Sequence, residues 1–198
     1  MKQPINRNIF WCETFVNILS DSGLSNVCIS PGSRSTPLTL SFSMNNKFRI
    51  YPIVDERSSA FFALGLAKKS KLPTVIVTTS GTAVSEIYPA IIEAYYQRIP
   101  LIVCTADRPA YLRNRGANQT INQNNIYKNH IRFFYDSGLP KINFSNINNL
   151  ITNTINGLDI ALNIDPGPVH FNFPFEKPFE PDTFTDNIDE NFFEKVKN

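Results

Sequence analysis

The sequence predicts an α/β fold: a Rossmann-like, three-layer α/β/α domain built on a six-stranded parallel sheet. Three observations carry the prediction. Short β-branched runs alternate along the chain with amphipathic stretches of helical spacing. Each run is followed by a turn rich in Gly, Ser, Pro or Asp. The runs are also nearly continuously apolar, as strands covered by helices on both faces must be.

In chain order, helical spacing over residues 9–19 leads to a first strand at 26–30 (NVCIS), and a helix at 36–44 leads to a second at 49–54 (RIYPIV). A helix over 57–69 precedes the strand 74–79 (TVIVTT), and one over 83–97 precedes 101–105 (LIVCT). Pro89 should kink that fourth helix or mark an irregular first turn, since proline brings no N–H to the helical ladder. Strands at 132–135 and 169–173 flank a last helix at 147–162. The connection 106–125 is long for a βα loop, a feature common where loops carry function.

Composition narrows the possible functions. The 198 residues, 42% hydrophobic and 18% charged, suit one domain with a real core. A formal charge of +2 provides no strong field for nucleic acid or anionic membrane. No run approaches the ~20 apolar residues of a membrane span, and the first residues lack a signal-peptide core, so a soluble, unprocessed protein is expected. Cys12, Cys28 and Cys104 are dispersed among apolar neighbours, which fits buried thiols in a reducing cytoplasm. From residue 176 onward there are seven acids against three bases together with proline and polar residues, leaving the preceding 175 residues at +6. We therefore read residues 1–175 as the domain and 176–198 as a linker toward further domains.

Right-handed crossovers put every βα loop of a parallel sheet at the carboxyl ends of its strands. Four of these loops are chemically loaded. Residues 30–36 (SPGSRST) offer Gly32 for close backbone approach, the Ser33 and Ser35 hydroxyls, and Arg34 as a bidentate anion clamp; equally, they could be a Pro-Gly turn with Ser35 or Thr36 capping a helix. Glu56 could be a first-turn acid favoured by the helix dipole, with Asp55 or a neighbour as cap, or a carboxyl aimed at a ligand. Ser80, Gly81 and Thr82 expose backbone amides to a ligand, or form a plain tight turn. Arg108, Arg113 and Arg115 surround the fourth loop with positive charge, where any one alone could be a solvated surface arginine.

Several chemistries are excluded by spacing. The loops are neither a Walker A motif nor a G-x-G-x-x-G fingerprint, so nucleotide or NAD binding by those devices is not expected. His130 and His170 are not spaced as metal ligands, no metal bound by this chain alone is expected, and no G-x-S-x-G elbow follows a strand.

At the four loops the chain resembles the N-terminal pyrimidine-binding domain of thiamine-diphosphate enzymes, in the branch of the menaquinone-pathway synthases, MenD. The resemblance runs from about residue 29 to about residue 123 and rests on SPGSRSTPL, DERSSAFFALGLAK, TTSGTAVSEIYPAIIEA and IPLIVCTADRPAYLRNRGANQTINQ. Ala110-Tyr111 stands where that family usually carries Pro-Glu. The resemblance implies a transferase that decarboxylates 2-oxoglutarate with thiamine diphosphate and Mg2+ or Mn2+, and adds the succinyl unit to isochorismate. It implies that Glu56 is catalytic and binds the cofactor's aminopyrimidine, with Ser80, Gly81 and Thr82 beside it. By the same resemblance Ser33, Arg34, Arg108, Asn118 and Gln119 bind isochorismate. The Gly-Asp-Gly motif through which such enzymes hold metal and diphosphate occurs nowhere in the 198 residues. A homodimer or dimer of dimers is then implied, with inactivity and no tight cofactor binding for this chain alone. Alternatives are another thiamine-dependent decarboxylase or synthase, such as an acetolactate-synthase relative, and a stand-alone α/β anion-binding regulatory domain.

Overall fold

The computed structural model of the chain describes residues 6–181. All six expected strands form: β1 (Asn26–Ile29), β2 (Arg49–Pro52), β3 (Thr74–Thr78), β4 (Leu101–Asp107), β5 (Phe133–Asp136) and β6 (Val169–Pro174). They make one sheet in the order β2-β1-β3-β4-β6-β5, with every neighbouring pair parallel. The helices are α1 (Arg7–Asp21), α2 (Thr36–Met44), α3 (Glu56–Ser70), α4 (Thr82–Glu86), α5 (Tyr88–Gln97) and α6 (Phe144–Asp159).

Successive side chains of a strand point to opposite faces, so each apolar strand feeds two cores. On one face Val27, Ile29, Val75, Val77, Phe171 and Phe173 pack with Trp11 and Phe15 of α1, Leu38 and Phe42 of α2, and Ile147 and Leu150 of α6. On the other, Cys28, Ile76 and Val103 pack with Ala60 and Ala63 of α3 and with Ile91 and Ala94 of α5. The result is the expected three-layer α/β/α arrangement. Phe15, fully buried, meets the rings of Phe171 at 5.1 Å and Phe173 at 5.0 Å edge-on. Burial of one such ring contributes about 1.5–3 kcal/mol.

Several boundaries differ from the sequence reading, most of them by one or two residues. The helix expected over 83–97 breaks at Ile87 into α4 and α5, with Pro89 in the first turn of α5 where its missing N–H is harmless. β4 runs two residues beyond the expected 105, because Ala106 and Asp107 pair with Phe173 and Pro174 of β6. β2 stops at Pro52 rather than 54. The last helix begins at Phe144, where Asn143 caps it by accepting a hydrogen bond from the Asn146 amide at 3.0 Å, and it closes in a π-helical turn, Ile160–Ile164.

The segment after β6 packs against the domain as far as it is described. Asn8 Nδ2 donates to the carbonyls of Glu176 (2.8 Å) and Pro178 (3.0 Å), Asn6 Nδ2 donates to that of Glu180 (2.8 Å), and Phe179 is buried. The rest of the expected linker, 182–198, lies outside the described residues. Among the described residues no helix is long and apolar enough to cross a membrane.

Candidate active site

From β1 the chain passes outward to β2 and then back across to β3, so the carboxyl ends of β1 and β3 border the topological switch point. The loop after β1 turns sharply there. A Cβ on Gly32 would lie 2.3 Å from Thr79 Cβ, so only glycine lets this loop rest on the end of β3. Ser35 Oγ donates to the Gly32 carbonyl (2.9 Å), closing a short 3-10 turn, Ser33–Ser35. The cap left open by the sequence does not form: no side chain caps α2, whose first turn carries Pro37 instead. The turn delivers Arg34, whose Nη1 donates to the Phe175 carbonyl and whose guanidinium carbon lies 4.6 Å from the Phe179 ring centroid. Its Nε is buried without a hydrogen-bond partner.

The loops after β3 and β4 interlock. Gly81 has φ +84°, a conformation strained for other residues, and a Cβ there would meet Gln119 Cγ at 2.8 Å. Gln119 itself adopts φ +56° and donates from Nε2 to the Ser80 carbonyl (2.9 Å). Ser80 Oγ accepts from Arg108 Nη1 and donates to the Gln119 carbonyl (3.3 Å). Beneath them Gln123, fully buried, accepts the Gly81 N–H (3.0 Å) and donates to the Ala106 carbonyl (3.1 Å) and to Asn172 Oδ1 (2.9 Å). One side chain thus ties together β3, β4 and β6.

Electrostatics favour an anion here. Burial, and after it the neighbouring Arg108, lower Arg34 to about 10, while burial also lowers Arg108; both guanidiniums stay charged at neutral pH. Asp107 is nearby, but its carboxylate already accepts from the Arg108 amide (2.7 Å), Asn172 Nδ2 (2.9 Å) and Arg113 Nη2 (2.8 Å). Burial pushes Asp107 up, and the Asn172 and Arg113 contacts oppose that rise. Among the described residues neither Arg34 nor Arg108 forms an ion pair, so two cations share the edge of the sheet without a carboxylate of their own.

Glu56 opens α3 at the end of the neighbouring loop. Asp55 is the N-cap, accepting from the Ser58 amide at 2.7 Å, which leaves the half-buried Glu56 carboxylate without a hydrogen bond among the described residues. Just before it, an apolar cavity of about 410 Å3 is lined by Ile29, Gly32, Leu40, Ile50, Ile53 and Val54 among others. An apolar pocket of this size suits a flat ring, although Glu56 is not among its lining residues. Of the remaining candidates, Ser33, Thr82 and Asn118 are exposed, and their side chains make no hydrogen bond among the described residues. Thus Arg34, Arg108, Ser80, Gly81 and Gln119 come together, while Ser33, Thr82 and Asn118 stand at the rim.

The sequence reading did not single out Gln123, Asn172, Asp107 or Thr79. Gln123 closes the GANQTINQ run and Asp107 precedes Arg108, but only tertiary pairing shows what each holds. Among the described residues no three His, Cys, Asp or Glu side chains form a group able to hold a metal ion. Glu56 and the apolar cavity are the features on this edge open to a cofactor ring.

A parallel α/β sheet with an arginine pair beside its switch point, and Glu56 at the end of the neighbouring edge strand, defines a ligand-binding α/β domain. Residues 12–126 match the family described as thiamine pyrophosphate enzyme, N-terminal TPP binding domain, and the chain belongs to that family. It is similar to curated proteins named 2-succinyl-5-enolpyruvyl-6-hydroxy-3-cyclohexene-1-carboxylate synthase: 49% identical over 174 residues to that of Trichodesmium erythraeum, covering 88% of this chain and 30% of the relative. The Oceanobacillus iheyensis protein is 46% identical with the same coverage, and that of Haloquadratum walsbyi is 44% identical over 190 residues, 96% of this chain and 31% of the relative. The chain thus spans just under a third of the length of these curated relatives.

Proposed function

We propose that this chain is the pyrimidine-binding part of a thiamine-diphosphate-dependent transferase that decarboxylates 2-oxoglutarate and adds the succinyl unit to isochorismate in menaquinone biosynthesis. The observation that carries this reading is the pair Arg34 and Arg108, partly buried, both cationic and neither ion-paired among the described residues, in a chain 42–49% identical to synthases of that name. Each guanidinium retains donors for a carboxylate, and isochorismate carries two carboxylates. Gln119 beside the arginines, and Ser33 and Asn118 at the rim, would add further hydrogen-bonding groups.

Bound thiamine diphosphate would supply the electron sink for the carbon–carbon bonds broken and made. Glu56 would hold a proton at N1′ of the aminopyrimidine ring, in the manner of a general acid–base group, with Ser80, Gly81 and Thr82 presenting main chain alongside. The cation, Mg2+ or Mn2+, and the diphosphate would be held by residues outside this chain, since its sequence has no Gly-Asp-Gly. A homodimer or dimer of dimers places Glu56 against that other half, and this chain alone is inactive. Three buried, unpaired thiols, Cys12, Cys28 and Cys104, suit a reducing cytoplasm.

Calorimetric titration of thiamine diphosphate and Mg2+ tests the division of labour: this chain alone should give no tight binding, and micromolar, magnesium-dependent binding would overturn it. The reaction assignment is tested on the longer protein carrying this chain, which should consume isochorismate together with 2-oxoglutarate. Consumption of 2-oxoglutarate with pyruvate but not isochorismate as acceptor would favour a different synthase.

A further inference from the structure

The segment leaving β6 is held too firmly, and too close to Arg34, to act only as a tether. The Phe175 amide donates to the Asp107 carbonyl (3.1 Å), and the Phe175 ring stacks on Phe173 at 6.1 Å and 11°. Three carbonyls, of Glu176, Pro178 and Glu180, are held by the side-chain amides of Asn6 and Asn8, both themselves buried. Glu176 pairs with Arg7 at 3.3 Å and is near enough to the Tyr111 hydroxyl to raise its pKa, so the segment also approaches the loop after β4. Phe175, the last residue of the expected domain, is fully buried, and Phe179 is 3% exposed although it lies in the stretch whose composition reads as linker.

All of this anchorage converges on one guanidinium. Arg34 Nη1 is taken by the Phe175 carbonyl, one face is covered by the Phe179 ring, and Nε is left buried with no partner. An arginine side chain free in water samples many rotamers, and ordering it on binding costs affinity. Here the ordering is already done by aromatic stacking and one carbonyl, both neutral, so the positive charge stays available. We propose that Phe179 is a positioning residue for Arg34, and that residues 175–180 preorganise its guanidinium for a carboxylate-bearing substrate.

The proposal rests on the reading of Arg34 as a substrate arginine, and two measurements separate their failures. The first needs no substrate. In this chain the Arg34 Nε–H should give a resolved NMR signal displaced by the Phe179 ring current, and Phe179→Leu, which keeps apolar bulk, should return it to the value of a free arginine while the backbone amide spectrum keeps its dispersion. A signal at the free value in the unsubstituted chain, or one unmoved by Phe179→Leu, overturns the clamp. The second uses the longer enzyme. Phe179→Leu should raise KM for isochorismate five- to tenfold with less than a twofold change in kcat, and in an Arg34→Ala background the same substitution should add nothing. An equal KM increase in both backgrounds would show that Phe179 does not act through Arg34. If Arg34→Ala left isochorismate use intact while the NMR signal behaved as expected, the clamp would stand and the substrate reading would fall.

Discussion

His170 should make this protein lose stability as pH falls well before its carboxylates are all protonated. It lies in β6, fully buried, between the rings of Tyr127 at 4.9 Å and Phe134 at 5.1 Å. Its proton is fixed by a chain of hydrogen bonds that begins at Asp107. The Asp107 carboxylate only accepts, so Asn172 turns Nδ2 toward it (2.9 Å) and presents Oδ1 to the other side. Oδ1 then accepts the Thr105 hydroxyl (2.8 Å), and Thr105 must in turn accept from His170 Nε2–H (2.7 Å). His170 is therefore the Nε2–H tautomer, and a second proton would go to Nδ1, which is buried with no partner. Burial accordingly lowers the imidazole from 6.5 to about 3.

The sign follows from proton counting. Between pH 6.5 and about 3 the unfolded chain holds a proton on this histidine that the folded chain refuses, so stability falls as pH falls, by about 1.4 kcal/mol per unit. Going from pH 7.5 to 5.0 removes about 2 kcal/mol, and by pH 3 the loss reaches about 4 kcal/mol. Asp107, pushed up by burial, acts in the opposite direction, because the folded state takes its proton first. Its contribution remains in His170→Gln, a variant that keeps a donor toward Thr105 but cannot titrate. Urea unfolding followed by circular dichroism at pH 7.5 and 5.0 should show the unsubstituted chain losing about 2 kcal/mol more than His170→Gln. Equal losses in the two proteins, or an Nδ1–H tautomer in the imidazole nitrogen shifts, would refute the argument.

Three further outcomes are expected. Gln123→Leu removes the partner of the buried Gly81 N–H and two further hydrogen bonds, and should cost about 3 kcal/mol in the same unfolding assay; a loss below about 1 kcal/mol would mean that the β3–β4–β6 tie is replaceable. In the longer enzyme, Arg34→Ala or Arg108→Ala should each cost about 2–5 kcal/mol in kcat/KM for isochorismate while 2-oxoglutarate decarboxylation suffers far less, a split that steady-state assays with each substrate varied will show. Glu56→Gln should leave the melting temperature nearly unchanged, because its carboxylate has no hydrogen bond to lose among the described residues, yet lower turnover by about 10²–10⁴. Near-normal turnover with a lowered melting temperature would return Glu56 to a helix-dipole role.

What the sequence discloses, and what it hides, divides along the distance between interacting residues. Continuous apolar runs such as TVIVT are legible because a sheet buried on both faces leaves no other solution, and α2 is read to the residue because its first turn begins at Thr36-Pro37. The turn glycines are legible as turns, but the reason Gly32 must be glycine is Thr79, 47 positions away and close only once β1 and β3 pair. Asp107 illustrates the same limit at the end of β4. Its neighbour Arg108 draws attention as charge, whereas Asp107 is satisfied by Asn172, 65 residues on, a pairing created by the insertion of β6 between β4 and β5.

The residues after β6 carry this furthest. Proline, acids and amides in succession have the composition of a solvated linker, and nothing local distinguishes Phe175 and Phe179 from aromatics exposed by chance. Their burial depends on Asn6 and Asn8, some 170 residues earlier, which hold the carbonyls of the segment at the N-terminus of α1. Arg34 meets the Phe175 carbonyl across 141 residues of sequence. The orientation of the proposed substrate arginine is therefore set jointly by the first helix, the loop after the first strand and the exit of the last strand. Cutting the domain at residue 175 would keep all six strands and Arg34 itself while removing the ring that covers its guanidinium.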